Sequence, residues 1–524
     1  MSIGQETGLP CQLEARLETQ IQASYADWNR LREGFAFPEL PSAGIWRELI
    51  HASITGLRDE GKLHWRSPAG RERPLGERLR ALGERLLLRI LQPLLRVALA
   101  RQLRLEEQAG TLAGIAAALE LRSAHADHVA EASRSAVELP TRRTAARAGR
   151  MRPRVDQLLP TVSAEDAVGT HVLHTQALLR ERGFTSEVFA ETWNRSFGEV
   201  RPLATHRDAI RAGDVTIFHF SIGCWTALEL RQLASFRVTN YHNITPARYF
   251  RDPRDYMTNH LVDLGRRQIP MVRSATDFWW VDSSYNARDI GVEQGSMVSP
   301  VLRDYTALTG LGSDRRLARQ LTSRRKDILF VGRLSPNKCQ HDLLFLLALY
   351  QKHIDRNVRL ILAGTGGVSG YIAQLTAAIR ALGLTTNGPG GRRDEGDVDV
   401  FFSGSIDQAE LAAIYRQASL FLCLSEHEGF CVPLIEAMSF GLPVIAHRAA
   451  AVPETCGGAA LLVDKRDPAV VLAAMRSVLE NAELEESLRQ RSLARAEAFS
   501  WERLVAGFDA VLDATLKRAG DAKR

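Results

Sequence analysis

The chain has 524 residues, 45% of them hydrophobic and 24% charged, and a formal net charge of +6 at pH 7. That length is too great for one ordinary core and implies two or three domains, while the composition excludes a disordered or collagen-like chain. Six scattered cysteines (Cys11, Cys224, Cys339, Cys423, Cys431 and Cys456) form no CxxC or Cys/His cluster, which argues for reduced, buried thiols in a cytosolic protein rather than disulfides or a zinc site.

The N-terminus lacks a basic start followed by an apolar run, so no signal peptide is expected. The stretch from Leu86 to Ala100 is broken by Arg89, Pro93 and Arg96 and is too short to span a bilayer. Leu79, Leu82, Leu86, Ile90, Leu94 and Val97 recur at three- and four-residue steps, predicting an amphipathic helix bent at Pro93. Arg71, Arg73, Arg78, Arg80, Arg85, Arg89, Arg96, Arg101 and Arg104 interleave with these leucines. Residues 70–108 therefore read as an element for an anionic membrane surface or an assembly partner. A helical bundle with solvated arginines reads equally well. Nucleic-acid binding is disfavoured, because stacking aromatics are nearly absent there. A basic linker at 141–154 closes an expected helical N-terminal region, residues 1–150.

From Val155 the pattern changes to alternating strand and helix signals, which favours parallel sheets with crossover helices. Strands are expected in DQLLPTV, SEVFAE, DVTIFHF, FRVTNY and FWWVD, within a first α/β domain at 151–320. The same logic repeats over 321–495, in DILFVG, VRLILAG, VDVFFSG, SLFLCLS, PVIAH and AALLVD. A polar helical stretch near 315–326 separates the two domains. A Gly/Pro-rich segment at 385–397 reads as a mobile surface insertion. Residues 496–524 end in an amphipathic helix with Trp501, Leu504, Phe508 and Leu512 on its apolar face. Two doubly wound domains in tandem enclose a cleft, the usual place for a ligand.

The run from Leu420 to Ala446 reads as strand, acidic loop, helix and second strand. Such strand-to-helix turns receive phosphates, because a helix N-terminus offers unpaired N–H groups and partial positive charge. The backbone of Gly429, Phe430 and Cys431 is placed to hold a diphosphate, with Glu428 and Glu436 facing hydroxyls or a sugar carbon. Glu426 is expected to face solvent. Arg333 and Lys338 follow a strand and provide one planar fork and one point charge for the same diphosphate. Alone, they read as well as solvated residues of a turn.

Glu428-Gly429-Phe430-Cys431-Val432-Pro433 through Glu436, then Gly441-Leu442-Pro443-Val444-Ile445, resembles the E-x7-E signature of the retaining glycosyltransferases of family 4. Gly332-Arg333 with Lys338, Val452-Pro453-Glu454 and Phe499-Ser500-Trp501 match further segments of that family in the same order, over residues 155–510. The resemblance implies the GT-B fold, two Rossmann-like doubly wound α/β domains facing a cleft, here preceded by the helical region. It implies ribose contact by Glu436, donor-sugar contact by Glu428, and phosphate contact by Arg333, Lys338 and the 429–432 backbone, Val432 included. It also places Gly404-Ser405-Ile406 beside the base, Gly169 in a loop near the diphosphate, and His242 against the donor sugar, with His219 a weaker candidate. Cys431 departs from the family, many of whose members carry glycine there, and implies a tighter or differently shaped sugar pocket.

The expected activity is front-face transfer of a hexose with retention, from a nucleotide sugar to a growing surface glycan or lipid-linked oligosaccharide. No DxD-type aspartate pair is expected near the cleft edge of either sheet, so neither metal nor other cofactor is expected beyond the GDP- or UDP-sugar substrate. The segments around HFSIG, YHNITP and SEHEGFCVPL most resemble bacterial O-antigen and exopolysaccharide enzymes, some of them mannosyltransferases, which puts GDP-mannose first and a UDP-hexose second. The expected location is cytoplasmic, peripheral on the inner face of the membrane. The competing expectation is a non-catalytic GT-B scaffold that binds a sugar nucleotide or glycan within an assembly complex.

Overall fold

The computed structural model describes residues 154–522 apart from 163–166, 194–198, 313–320, 322–324, 365 and 390–396. The expectations for residues 1–150, including the arginine-rich 70–108 element, lie outside the described residues, as does most of the stretch near 315–326.

Two parallel sheets organise the rest. The first contains β1 (Val155–Val162), β2 (Val188–Trp193), β3 (Val200–Pro202), β4 (Val215–Phe220), β5 (Phe236–Tyr241), β6 (Phe278–Val281) and β7 (Ser296–Val298). Its order is β3-β2-β1-β4-β5-β6-β7. The second contains β8 (Lys326–Val331), β9 (Val358–Ala363), β10 (Val400–Phe402), β11 (Leu420–Cys423), β12 (Val444–His447) and β13 (Leu461–Val463), ordered β10-β9-β8-β11-β12-β13. Strands such as VTIFHF and VRLILA are buried at every position, as a parallel sheet covered on both faces requires.

In both sheets the strand order reverses beside the first strand, between β1 and β4 and between β8 and β11. Loops leaving the carboxyl ends of neighbouring strands diverge there and leave a crevice, the general ligand position of open α/β sheets. The helices around these crevices are α1 (Ala167–Glu181), α2 (Tyr256–Ala275) and α3 (Ser284–Ile290) on the first sheet, and α4 (Gln340–His353), α5 (Ser369–Ala381), α6 (Gln408–Gln417) and α7 (Val432–Ser439) on the second. A capping box, Asp407 with Glu410, starts α6. The Ser283 side chain caps α3 by accepting from the Asn286 N–H.

After α8 (Pro468–Glu480) and α9 (Ala482–Glu497), the chain returns to the first sheet as α10 (Trp501–Asp521). Leu504, Phe508 and Leu512 are buried along α10, and Trp501 is half-buried with its ring 4.9 Å from that of His174. Trp280 of β6 donates its indole N–H to Thr515 Oγ1 at 3.0 Å and meets the Phe508 ring edge-on at 6.2 Å.

The described part of the 385–397 segment lies between α5 and β10 and is anchored. Thr386 bridges to Val400, while the Asn387 side chain donates to the Phe402 carbonyl and accepts from its N–H, at 3.0 and 2.8 Å. A paired, buried amide leaves residues 385–388 no freedom as a loop, so the expectation of mobility is corrected there; 390–396 are outside the described residues.

Candidate active site

The loops leaving β8 and β11 are fastened to each other at the second sheet's crevice. Asn337 gives its side-chain N–H to the His427 carbonyl at 3.1 Å, and its own carbonyl accepts from the Glu426 N–H at 2.9 Å. This fastening sets Lys338 Nζ 2.6 Å from each carboxylate oxygen of Glu428. Burial opposes the lysine's charge most strongly, but Glu428, Cys431 and Cys423 together hold the ammonium above its ordinary value. Arg333 is exposed on the rim, its carbonyl accepting from Gln340 Nε2 at 3.0 Å. Glu426 is not simply solvated: it pairs at 2.6 Å with the buried Lys465.

Glu436 stands in the second turn of α7 and is 3% exposed. Its carboxylate meets Arg303 Nη2 at 2.6 Å and accepts from the Tyr415 hydroxyl at 2.8 Å. Burial and this carboxylate push the Tyr415 phenol well above its usual range. Arg303 follows β7 and comes from the first-sheet side; Tyr415 comes from α6. Neither stands out in the sequence, because no local pattern connects an arginine, a tyrosine and a glutamate so far apart. Gly404 and Ile406 are half-buried in the loop between β10 and α6.

Cys431 caps α7 in the left-handed region, φ 74°. A side chain there costs about 1–2 kcal/mol relative to glycine. The thiol is buried and clusters with Cys423 and Glu428. The hydrogen bond it donates to Cys423, then burial, then Glu428 push it well above the ordinary thiol value.

The first sheet closes on this loop. Ser283 donates its hydroxyl to the Gly429 carbonyl at 2.6 Å. A Cβ on Gly429 would lie 2.6 Å from the Asn243 Cβ and 2.9 Å from the His242 carbonyl. Glycine is therefore required here by close approach. Nearby, Glu454 accepts from the N–H groups of Ser284 and Tyr285 at 2.7 and 3.1 Å. Val432 and Phe430 are buried behind the loop, with the Phe430 ring edge-on to Phe499 at 5.5 Å.

His242 sits at the carboxyl end of β5, but its ring is only 2% exposed. Nε2 lies 2.9 Å from His219 Nδ1, and Nδ1 lies 2.9 Å from Asp282 Oδ2. Both ring nitrogens are thus engaged inside the protein, and it is the His242 peptide that faces Gly429. Gly169 is buried in the first turn of α1, two residues before the buried His171.

Among the described residues, three groups bring potential metal-ligand atoms within 4.8 Å: His171, His219 and His242; Cys339, His341 and Asp342; and Cys423, Glu428 and Cys431. Each already contains internal partners, notably Lys338 on Glu428 and Lys465 on Cys339 and Asp342. A separate cavity of about 700 Å³, lined by Arg182, Phe184, Val215, Asp509 and Leu516, lies at the starting end of β4, away from these strand termini.

With both crevices described, comparison with known proteins adds two findings. Residues 316–495 match the family model for glycosyl transferases group 1. Anabaena HepE in complex with UDP-glucose superimposes with a TM-score of 0.52, at 16% identity, over 68% of this chain and 99% of that one. The fold is GT-B-like. Among curated relatives, Escherichia coli O-antigen chain mannosyltransferase B is 35% identical over 101 residues, 19% of this chain and 26% of that protein. The MMP alpha-(1->4)-mannosyltransferase of Mycolicibacterium hassiacum is 26% identical over 354 residues, 63% of this chain and 79% of that protein. The chain spans between about a quarter and a half of the length of several curated relatives it matches. In this GT-B-like frame, the Lys338–Glu428 and Arg303–Glu436 pairs lie at the second sheet's crevice and the histidines at the carboxyl ends of the first sheet's strands.

Proposed function

We propose that this protein is a glycosyltransferase that moves a hexose from a nucleotide sugar to a glycan or lipid-linked acceptor with retention of anomeric configuration. The observation that carries this reading is the Lys338–Glu428 pair at the reversal of the second sheet, whose Glu428 precedes the buried Glu436 by eight residues. Lys338, Arg333 and the N–H groups at the start of α7 supply positive potential for a departing diphosphate. Glu436 offers a carboxylate to ribose hydroxyls, and Glu428 offers one to the sugar. No step of this reading is assigned to a metal.

Mannose is the first choice of sugar, on the names of two relatives. UDP-glucose in the HepE complex keeps a UDP-sugar as the second choice. Among the described residues no helix is long and apolar enough to cross a membrane. We place the protein in the cytoplasm, with residues 70–108 as its peripheral membrane or partner contact.

The test is incubation of the purified chain with radiolabelled GDP-mannose and UDP-glucose, with and without EDTA, scoring donor hydrolysis and transfer. Turnover of one donor that survives EDTA and is lost in Lys338→Ala supports the reading. Binding without turnover, in the presence of a lipid-linked acceptor, supports the scaffold instead. That second reading draws on one fact: Glu428 and Glu436 are fully paired within the protein.

A further inference from the structure

The histidines at the first sheet's carboxyl edge form a chain whose proton positions follow from one fixed end. Gln157 of β1 donates its side-chain N–H to the Val172 carbonyl at 3.1 Å. The reverse orientation would set two acceptors against each other, so Gln157 Oε1 is the atom 3.0 Å from His219 Nε2. His219 therefore carries its proton on Nε2. Burial, then the charge of His242, hold this imidazole well below its ordinary value, so it carries only that proton. His219 Nδ1 is then an acceptor, and His242 Nε2, 2.9 Å away, must donate to it. A second proton must lie between His242 Nδ1 and Asp282 Oδ2, also 2.9 Å apart.

His171 completes the arrangement without joining the chain. The Leu302 N–H points at its Nδ1 from 2.9 Å, which puts its proton on Nε2, facing the Asn240 amide at 2.9 Å. Turning that amide gives Asn240 Oδ1 a partner it otherwise lacks. The same Leu302 N–H occupies one nitrogen of His171 and fixes its tautomer against metal coordination through Nε2.

We propose that Gln157, His219 and Asp282 are positioning residues that hold the His242 ring with a hydrogen on each nitrogen, and so fix the His242–Asn243 turn against the Gly429 loop. The chain is polarised from the Val172 carbonyl outward, and Asp282 balances the ring's charge, so the buried pair is neutral as a unit. Asn243 is in the left-handed region, φ 74°, and its side chain donates to Asn286 Oδ1 at 2.8 Å. A rotating His242 ring would release that turn and with it the wall over Gly429. The titratable groups around His242 are His171 from α1, His219 from β4 and Asp282 after β6. Across the crevice, the paired Glu428 and Lys338 flank Gly429. Burial raises the Asp282 carboxyl, with His242 opposing.

The role in donor binding rests on the function proposed above; the proton positions do not. The test uses the full chain with ¹⁵N-labelled histidine. One imidazole with both nitrogens protonated is expected at neutral pH, lost in Gln157→Leu and in His219→Phe, and retained in Gln157→Glu, whose buried carboxyl keeps its proton to donate to the Val172 carbonyl and still accepts from His219. In Gln157→Leu and His219→Phe, donor KM is expected to rise about tenfold at neutral and alkaline pH with a smaller change in kcat, the effect of losing one well-placed interaction. Gln157→Glu is expected to restore KM, which a purely structural defect would not do. Single protonation of every histidine in the folded wild-type chain overturns the proposal, as does stoichiometric zinc binding that Gln157→Leu leaves intact. An unchanged KM in folded Gln157→Leu overturns the positioning role. Absence of any sugar transfer, with the doubly protonated ring present, overturns the proposed function and leaves the network standing.

Discussion

Replacing Arg303 by methionine tests the construction of the proposed ribose site. The substitution keeps the bulk of the chain but strips Glu436, 3% exposed, of its cationic partner, leaving only the Tyr415 hydroxyl. Breaking one side of a buried ion pair costs about 3–5 kcal/mol, because the remaining charge stays desolvated. Glu436→Gln leaves Arg303, 13% exposed, beside Gln408 Oε1 at 3.1 Å, so its expected cost is smaller, about 1–3 kcal/mol. The double variant removes both charges and should recover most of the loss, with a coupling of about 2 kcal/mol or more. Equilibrium urea unfolding of the four proteins at pH 7 measures this cycle. Costs that add to within about 0.5 kcal/mol would show that Arg303 and Glu436 do not depend on each other, and would refute the reasoning. Calorimetric titration with GDP-mannose and UDP-glucose supplies a second readout. Glu436→Gln should weaken the accepted donor by about 10- to 150-fold, the worth of charge-assisted hydrogen bonds to a diol.

Lys338→Ala and Glu428→Gln should each reduce transfer by at least about a hundredfold in single-turnover assays, the order seen for loss of one pre-organised electrostatic partner; full activity in folded Lys338→Ala would remove that residue from the site. Gly429→Ala should cost about 1–3 kcal/mol by overpacking against Asn243 and the His242 carbonyl, read as a lower Tm and faster proteolysis between the two sheets. Burial holds His206 and His427 at about 4, against 6.5 for an unperturbed imidazole. Their contribution is complete above about pH 6.5 and is lost as pH falls toward 4, about 3 kcal/mol each. Burial raises Asp156 to about 6, which acts oppositely and returns about 3 kcal/mol over the same window. The urea midpoint should therefore fall on acidification, and less so in His206→Asn. Phe508→Ala should cost about 3–5 kcal/mol by emptying the space beside Trp280, measured as a Tm shift.

Most of the strands were legible because a parallel sheet buried on both faces writes itself as apolar runs, continuous in LFLC and broken only by Arg359 in VRLILA. The two edge segments, Val200–Pro202 and Ser296–Val298, were not: three residues with half-exposed side chains carry no period. Residues 385–388 look loop-like by composition, yet Asn387 behaves as a strand extension because its side-chain amide substitutes for a ladder partner. Within the site, Lys338, Glu428 and Glu436 could be singled out because the first two lie in loops after strands and the third in the helix that follows, so their signal is local. Arg303, Tyr415, Asp282 and Gln157 could not, since their roles arise from contacts between segments distant in the chain. His242 shows the limit most clearly. Its position at a strand end was readable, but the fate of its two nitrogens depends on β1, β4 and the residue after β6.

The return of α10 to the first sheet gives the molecule two chain crossings between its halves, one between β7 and β8 and the other near Phe499. Two tethers define a line. Any opening of the cleft is thereby reduced from a free swivel to rotation about an axis through both crossings, so the Gly429 loop leaves the His242–Asn243 turn along a single arc. Phe499, between Phe430 and the Arg495 guanidinium, lies at the second crossing. A lesion there reaches the site only through the Phe430 ring.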